Sequence, residues 1–359
     1  METFLDGWAP SLRPLIRVMT YESFKRGHSL PRGTYIFSDL ERLSAVTRAV
    51  AEQAHRRLSD ADDRPVILND PRGSLVRFEL LRALKEDGTN DFRPYRLTET
   101  RIPQRFPVFI REEDKHSGTL TPLLHDQRQL DRAIARLYLR HGGLDNLLMI
   151  EFCDTSDHVG IFRKYGVFLV GSRLIPKHLF FSRQWMVKGS DLVEAEHLRE
   201  EADFLETNPH EDALRGVFRS AGIAYGRIDY GIRNGRIQVW EINTNPMILG
   251  PPERMKPERL PFKVRLSEQM AKAFGAIDSP VPVSAEATGL IHLSEVPPIR
   301  MWTRVRGRAY QVIRSRWGLR FGGVDRIAEV AWRPVIALLK RTKWSGRRSE
   351  RPERPPSLR

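Results

Sequence analysis

The chain has 359 residues, more than one hydrophobic core ordinarily serves, and 40% of them are hydrophobic, enough for globular subdomains. Its net charge of +14 sits at one end: residues 297–359 hold 17 Lys/Arg and 4 Asp/Glu, while the rest of the chain holds 42 and 41. This argues against a nucleic-acid reading of the whole chain, and the single cysteine, Cys153, excludes an internal disulfide.

METFLDGWAP lacks the basic-then-apolar order of a signal peptide, and no stretch reaches the ~18–20 apolar residues of a spanning helix. The body is therefore expected to be cytoplasmic. Residues 34–58 read as a short strand, a Ser-Asp turn and an amphipathic helix with Leu40, Leu43, Val46 and Val50 on its stripe. Residues 65–88 repeat the plan: strand Val66–Leu68, then Asn-Asp-Pro, then a helix from Ser74 that Gly88 ends. Tyr95–Leu97 is a third strand of what the alternation implies is a small α/β domain.

Pro107–Arg111 is the next strand, followed by a polar loop containing Gly118 and a helix over Leu123–Arg140. LLMIEFC (147–153) is a buried strand with Glu151 near its end. Residues 164–182 form a hairpin turned near Gly171-Ser172, and helices follow at about 191–206 and 211–220. A second hairpin, GRIDYGIRNGRIQVWEINTNP, spans 226–246, and no internal repeat is present.

In this hairpin Asn234-Gly235 marks the turn. A two-residue loop would put Asp229 and Glu241 on opposite sheet faces. A three-residue loop, Arg233-Asn234-Gly235, keeps parity, with Ile228, Tyr230, Trp240 and Ile242 on the core face and Arg227, Asp229, Val239, Glu241 and Asn243 on the other. Hydrophobic sorting selects the second and makes Asp229 and Glu241 diagonal neighbours. Two carboxylates and a carboxamide form an all-oxygen set suited to a hard divalent ion. A solvated sheet face with a surface salt bridge is the alternative.

The stretch RIDYGIRNGRIQVWEINTNP resembles the metal-binding end of the ATP-grasp superfamily, whose Glu-x-Asn-x-x-Pro pattern matches Glu241, Asn243 and Pro246. The resemblance implies a small α/β domain followed by a two-lobed ATP-grasp fold of α/β (α+β) class, with a basic helical C-terminal tail. The implied limits are 1–105 for the N-terminal region and small domain, 106–190 for the middle lobe, 191–280 for the C-terminal lobe and 281–359 for linker and tail. It further implies Asp229, Glu241 and Asn243 as ligands for Mg²⁺, or Mn²⁺ in its place, and Glu151 at the adenine hinge. FPVFIREEDKHSG is similar to the strand and flexible phosphate-covering loop, but Arg111 and Arg77 stand where the family usually has lysines that contact the nucleotide. Lys164 and Lys188 are the candidates for the γ-phosphate or the acceptor, in a region that also holds Arg163, Lys177, His178 and Trp185. His178 reads otherwise as a hydrogen-bonded histidine and Cys153 as a core residue.

The implied chemistry is ATP-dependent joining of a small-molecule or peptide carboxylate to an amine or similar nucleophile through an acylphosphate. A non-catalytic ATP-binding or scaffold protein, with the Lys-to-Arg departures recording lost phosphoryl transfer, and a kinase-like member of the superfamily are the alternatives. No Walker GxxxxGK, HExxH or Ser/His/Asp pattern competes.

Residues 300–317 place Trp302, Val305, Ala309, Val312 and Ile313 on one helical stripe and Arg304, Arg306, Arg308, Arg314 and Arg316 largely elsewhere; 330–344 repeats this with a kink at Pro334. Such a surface suits an anionic membrane, so residues 297–343 are expected to hold the protein peripherally on the inner face. A helix pair docked on the protein's own body is the alternative. Deleting residues 297–359 is expected to abolish pelleting with anionic liposomes; equal pelleting of full-length and shortened chains would refute the membrane role.

Overall fold

The structure is a computed structural model that describes residues 1–25, 29–31, 33–61, 65–116, 118–278 and 290–292. The basic segments at 300–317 and 330–344 lie outside the described residues.

The chain opens with α1 (Glu2–Gly7), which buries Phe4 and Leu5, and continues through β1 (Ser29–Pro31) to β2 (Tyr35–Ile36). Helix α2 (Ala45–Ser59) begins later than its apolar pattern implied, because Ser44 caps it by accepting the Thr47 N–H at 3.1 Å. Leu40 therefore lies in a short 3₁₀ turn and Leu43 in extended backbone. Strand β3 (Ile67–Leu68) pairs in parallel with β2, so α2 is a crossover helix. Asn69 follows with φ +66° and is almost fully buried. Its amide donates to the carbonyls of Phe37 and Tyr225 and accepts the N–H groups of Ala224 and Tyr225, all at 2.8–2.9 Å. One side chain thus ties the small parallel pair to a distant strand.

After α3 (Arg77–Glu86) come β4 (Pro94–Arg96), β5 (Val108–Glu112), α4 (Gln127–His141) and β6 (Leu147–Glu151). The strand expected at 95–97 with the preceding domain is instead an edge of an antiparallel sheet ordered β4-β6-β5. Every residue of β6 is buried, and an interior strand needs partners on both sides. Leu130, Ala133, Ile134 and Leu137 of α4 cover this sheet, packing on Val108, Ile110 and Met149.

The rest is built on β7 (Phe162–Val170), β8 (Arg173–Ser182), α5 (Ala195–Thr207), α6 (Glu211–Ser220), β9 (Tyr225–Arg233), β10 (Arg236–Asn243) and α7 (Leu260–Ile277), followed by β11 (Leu290–His292), which pairs with β1. Hairpin β7–β8, assigned from sequence to the middle lobe, shares an antiparallel sheet of order β10-β9-β7-β8 with the second hairpin. One face of this sheet buries Tyr165, Leu179, Ile228, Tyr230 and Val239 under Phe204 of α5 and Leu214 and Phe218 of α6. On the other, Phe168, Ile175 and Tyr225 meet Met270 and Phe274 of α7.

The β9–β10 register corrects the sequence expectation. The loop has two residues, Asn234 and Gly235, both with positive φ (49° and 74°), and Arg233 opposes Arg236. Parity is restored further on by a β-bulge between Val239 and Glu241. Val239 turns into the core and Trp240 packs on Phe92 at 5.3 Å, the reverse of the faces expected for these two. Asp229 and Glu241 are then directly opposed, not diagonal.

Replacing Asn69 with Ala removes four buried hydrogen bonds and leaves an L-residue with a side chain at φ +66°. We expect a loss of about 3 kcal/mol or more, read from urea unfolding.

Candidate functional site

A cleft of about 260 Å³ runs between the three-stranded and four-stranded sheets. One end is apolar, lined by Phe92, Phe109, Ile150, Phe152, Trp185 and Trp240. Trp185 lies 5.0 Å from Phe109 and meets Phe152 edge-on at 5.7 Å, a platform on which a planar ring can stack. The other end is charged: Arg111, Lys164, Lys188 and Arg227 surround Asp229 and Glu241.

Both carboxylates are buried, Asp229 completely, which rules out the solvated face. Arg227 donates to Asp229 through Nε (2.6 Å) and Nη2 (2.9 Å), and Lys164 Nζ lies 2.8 Å from Oδ2. Glu241 Oε2 is in contact with Arg77 Nη2, with Arg111 Nη2 at 3.4 Å and with His116 Nδ1 at 3.3 Å. Burial alone would push the Glu241 carboxyl up; Arg77, His116 and Arg111 outweigh it and hold it well below the usual carboxylate range. For Asp229 burial is likewise opposed, by Arg227 and Lys164, and its pKa is lowered. Burial, reinforced by Arg77, brings the Arg111 guanidinium down to about 10.

Arg77, one of the two lysine replacements, fastens the polar loop to the sheet. Besides Glu241 it donates to the carbonyls of Glu112, Glu113 and Lys115 and contacts His116 Nδ1 at 3.1 Å. His116 Nε2 reaches Glu41 at 3.0 Å, and Glu41 holds Thr244 just beyond the Glu-x-Asn pattern. At the loop's end Gly118 has φ +109°, and a Cβ there would lie 2.6 Å from Lys188 Nζ. Lys188 therefore occupies the space that glycine leaves. Burial, with Lys164 and Arg111 nearby, lowers its pKa.

The structure thus brings Asp229, Glu241, Arg111, Lys164 and Lys188 to one end of the cleft, with Arg77 directly behind Glu241. Two expected residues are used differently. Asn243 is buried but does not line the cleft; its Oδ1 accepts the Asn245 N–H at 2.8 Å, a turn its own sequence favours. Glu151 is at the cleft wall, but its carboxylate accepts from Tyr95 Oη (2.7 Å) and the Arg93 N–H (3.1 Å), tying β4 to β6. Sequence reasoning missed His116 and Glu41. His116 lies inside the quoted loop, and only the fold brings Glu41 beside it.

Five cations against two carboxylates fit a polyanion such as a nucleotide's phosphates. The fit to a divalent ion is narrower. Glu241 Oε1 makes no hydrogen bond among the described residues and is open to a metal, whereas Asp229 becomes a ligand only by exchanging Lys164 or Arg227 for it. No group of three or more His, Cys, Asp or Glu side chains able to hold a metal occurs among the described residues.

Comparison with solved structures returns an L-amino acid ligase and D-alanine-D-alanine ligases, and this chain has a mixed α/β layout. An L-amino acid ligase from Bacillus licheniformis matches at 11% identity over 53% of this chain and 43% of that chain, with a TM-score of 0.32. The match thus spans less than half of that ligase. A D-alanine-D-alanine ligase from Coxiella burnetii matches at 13% identity over 73% of this chain and 69% of that one, with a TM-score of 0.40. The Bacillus anthracis D-alanine–D-alanine ligase complexed with ATP matches at 12% identity over 67% and 96%, with a TM-score of 0.34. No family model matches the chain, and no curated protein matches it.

Because Arg77 and Glu241 are both buried, removing one strands the other. Arg77→Met is expected to cost about 3–5 kcal/mol in urea unfolding at pH 7. The lowered carboxyl of Glu241 contributes stability in full above its ordinary pKa of 4.5, lost as pH falls toward its folded value. Glu241→Gln should flatten that acid limb.

Proposed function

We propose that the chain binds ATP with Mg²⁺, or Mn²⁺, in this cleft and uses it to join a carboxylate to an amine or similar nucleophile. The observation that supports this most is the placement of Asp229 opposite Glu241 at the cationic end of a cleft whose other end is aromatic. The base would lie between Trp185 and Trp240, near the hinge backbone at Glu151. Arg111 and Lys188 would contact the phosphates, and the loop from Glu112 to Gly118 would cover them and exclude water.

In the proposed reaction a carboxylate oxygen attacks the γ-phosphorus, the bond to the β-phosphate oxygen breaks, and ADP leaves with that electron pair. The nucleophile then attacks the acyl carbon, phosphate departs, and the nucleophile's proton is lost to solvent. Lys164 and Arg227, held beside Asp229, would offset the charge on the transferring group, and Lys188 would follow the loop as it closes. A bound metal on Glu241, with Asp229, would neutralise charge between the β- and γ-phosphates. Residues 297–343 would hold the enzyme on an anionic membrane.

A second reading, nucleotide binding without phosphoryl transfer, draws on Arg111 itself. Its guanidinium is already committed to Glu241 and the Lys115 carbonyl (3.0 Å). ADP release measured across a panel of acids and amines separates the two. The ligase reading expects release that needs both an acid and an amine, and a fall of at least 100-fold in Glu241→Gln with near-UV circular dichroism retained. Nucleotide binding with no acceptor-dependent release, or unchanged turnover in the variant, would refute it.

A further inference from the structure

The register of the four-stranded sheet sets a row across it: Glu241 opposes Asp229, Asp229 opposes Gly166, and Gly166 opposes His178. Directly paired residues project from the same face, so His178 shares the face that carries the two carboxylates. The residue is only 3% exposed, yet neither ring nitrogen has a hydrogen-bond partner among the described residues. Buried polar groups in native folds are almost always paired, so this one calls for an occupant. The ring is fixed in place: it stacks on Phe180 at 4.0 Å and 6°, and a Cβ at residue 166 would lie 2.4 Å from its Cε1. Glycine at 166 is what leaves the imidazole room.

The surroundings are cationic without matching carboxylates. Arg227, Lys177, Lys164 and Lys263 all act on His178, and after burial itself they are what keep it neutral. Among the described residues Lys177 reaches the Met247 carbonyl and the face of Phe168, the latter at 5.2 Å, and forms no ion pair. Lys263, in the first turn of α7, forms no ion pair among the described residues; the carboxylate that acts on it, Glu201, is taken by Arg259. Burial and Arg259 bring Lys263 down to about 8. With Glu201 held by Arg259 and Glu241 by Arg77, Asp229 is the carboxylate left facing these four cations among the described residues. Partly desolvated cations beside an unfilled neutral donor are stabilised together by one bound anion.

We propose that Lys177, His178 and Lys263, continuing from Arg227, form an anion subsite that seats a second acid group of the acceptor, so that the acceptor is a dicarboxylate. This rests on the ligase reading for the word acceptor, but not for the anion. Strands lie about 4.8 Å apart, and His178 is two strands from Asp229. The second acid would therefore sit up to about 10 Å from that residue, within reach of a short aliphatic diacid.

Adipate and acetate titrated into the full chain test it, by calorimetry and by the His178 Hε1 resonance, with mant-ATP binding measured in parallel. Adipate is expected to bind at least tenfold more tightly than acetate and to move the His178 resonance. Lys263→Met and Lys177→Met should each weaken adipate at least fivefold while mant-ATP binding stays within twofold. Equal affinities for adipate and acetate, or adipate binding indifferent to both substitutions, would overturn the subsite. Failure of the wild-type chain to bind mant-ATP would defeat the nucleotide reading and leave the anion titration to stand alone.

Discussion

Two carboxylates buried directly opposite one another cannot both stay ionised without countercharge. At about 5 Å and an effective dielectric near 20, their repulsion is on the order of 3 kcal/mol, before any cost of leaving water. The chain meets this with cations from separate elements: Arg77 from α3, Arg111 from β5, Lys164 from β7 and Arg227 from β9 itself. Each of those elements is thereby drawn to the same point. The cleft between the two sheets owes its closed end to that electrostatic demand as much as to apolar packing. Arg77 shows the double use: the guanidinium that neutralises Glu241 also holds three carbonyls of the covering loop.

Much of the fold was legible because its signals are local. Asn234-Gly235 fixed one turn and Gly171-Ser172 the other, and the period of α4, α5 and α6 located those helices within a few residues. The carboxylates Asp229 and Glu241 were legible because hydrophobic sorting of the two strands admits only a register in which they share a face. The failures have one cause, which is that pairing partners are not encoded locally. Nothing in PYR says that β4 joins β6, and nothing in the 164–182 hairpin says that it lies beside β9. The loop length was misread for a related reason: parity demanded one extra residue, and the turn was the only place where sequence could show it. The bulge at Trp240 supplies that residue without any glycine to mark it.

Side-chain roles were less legible than positions. Asn243 and Glu151 were placed correctly on their strands, but neighbours engage their oxygens: the Asn245 N–H meets Asn243 Oδ1, and Tyr95 with the Arg93 N–H meets both oxygens of Glu151. His116 and Glu41 are separated by 75 residues and meet only because the loop folds back over Glu241. His178 was read as an ordinary hydrogen-bonded histidine; that its ring nitrogens lack hydrogen-bond partners among the described residues is visible only in three dimensions.

The compensation between turn and bulge also bears on how such a hairpin can vary. What the site requires is an unpaired residue somewhere between Asp229 and Glu241, wherever it falls. A chain that lengthens the tip by one and loses the kink before the glutamate would present the same two carboxylates on the same face, with Val239 and Trp240 trading places. A residue added at the tip leaves every strand pair as it was, whereas one added inside either strand turns one carboxylate to the opposite face unless a second irregularity takes it up.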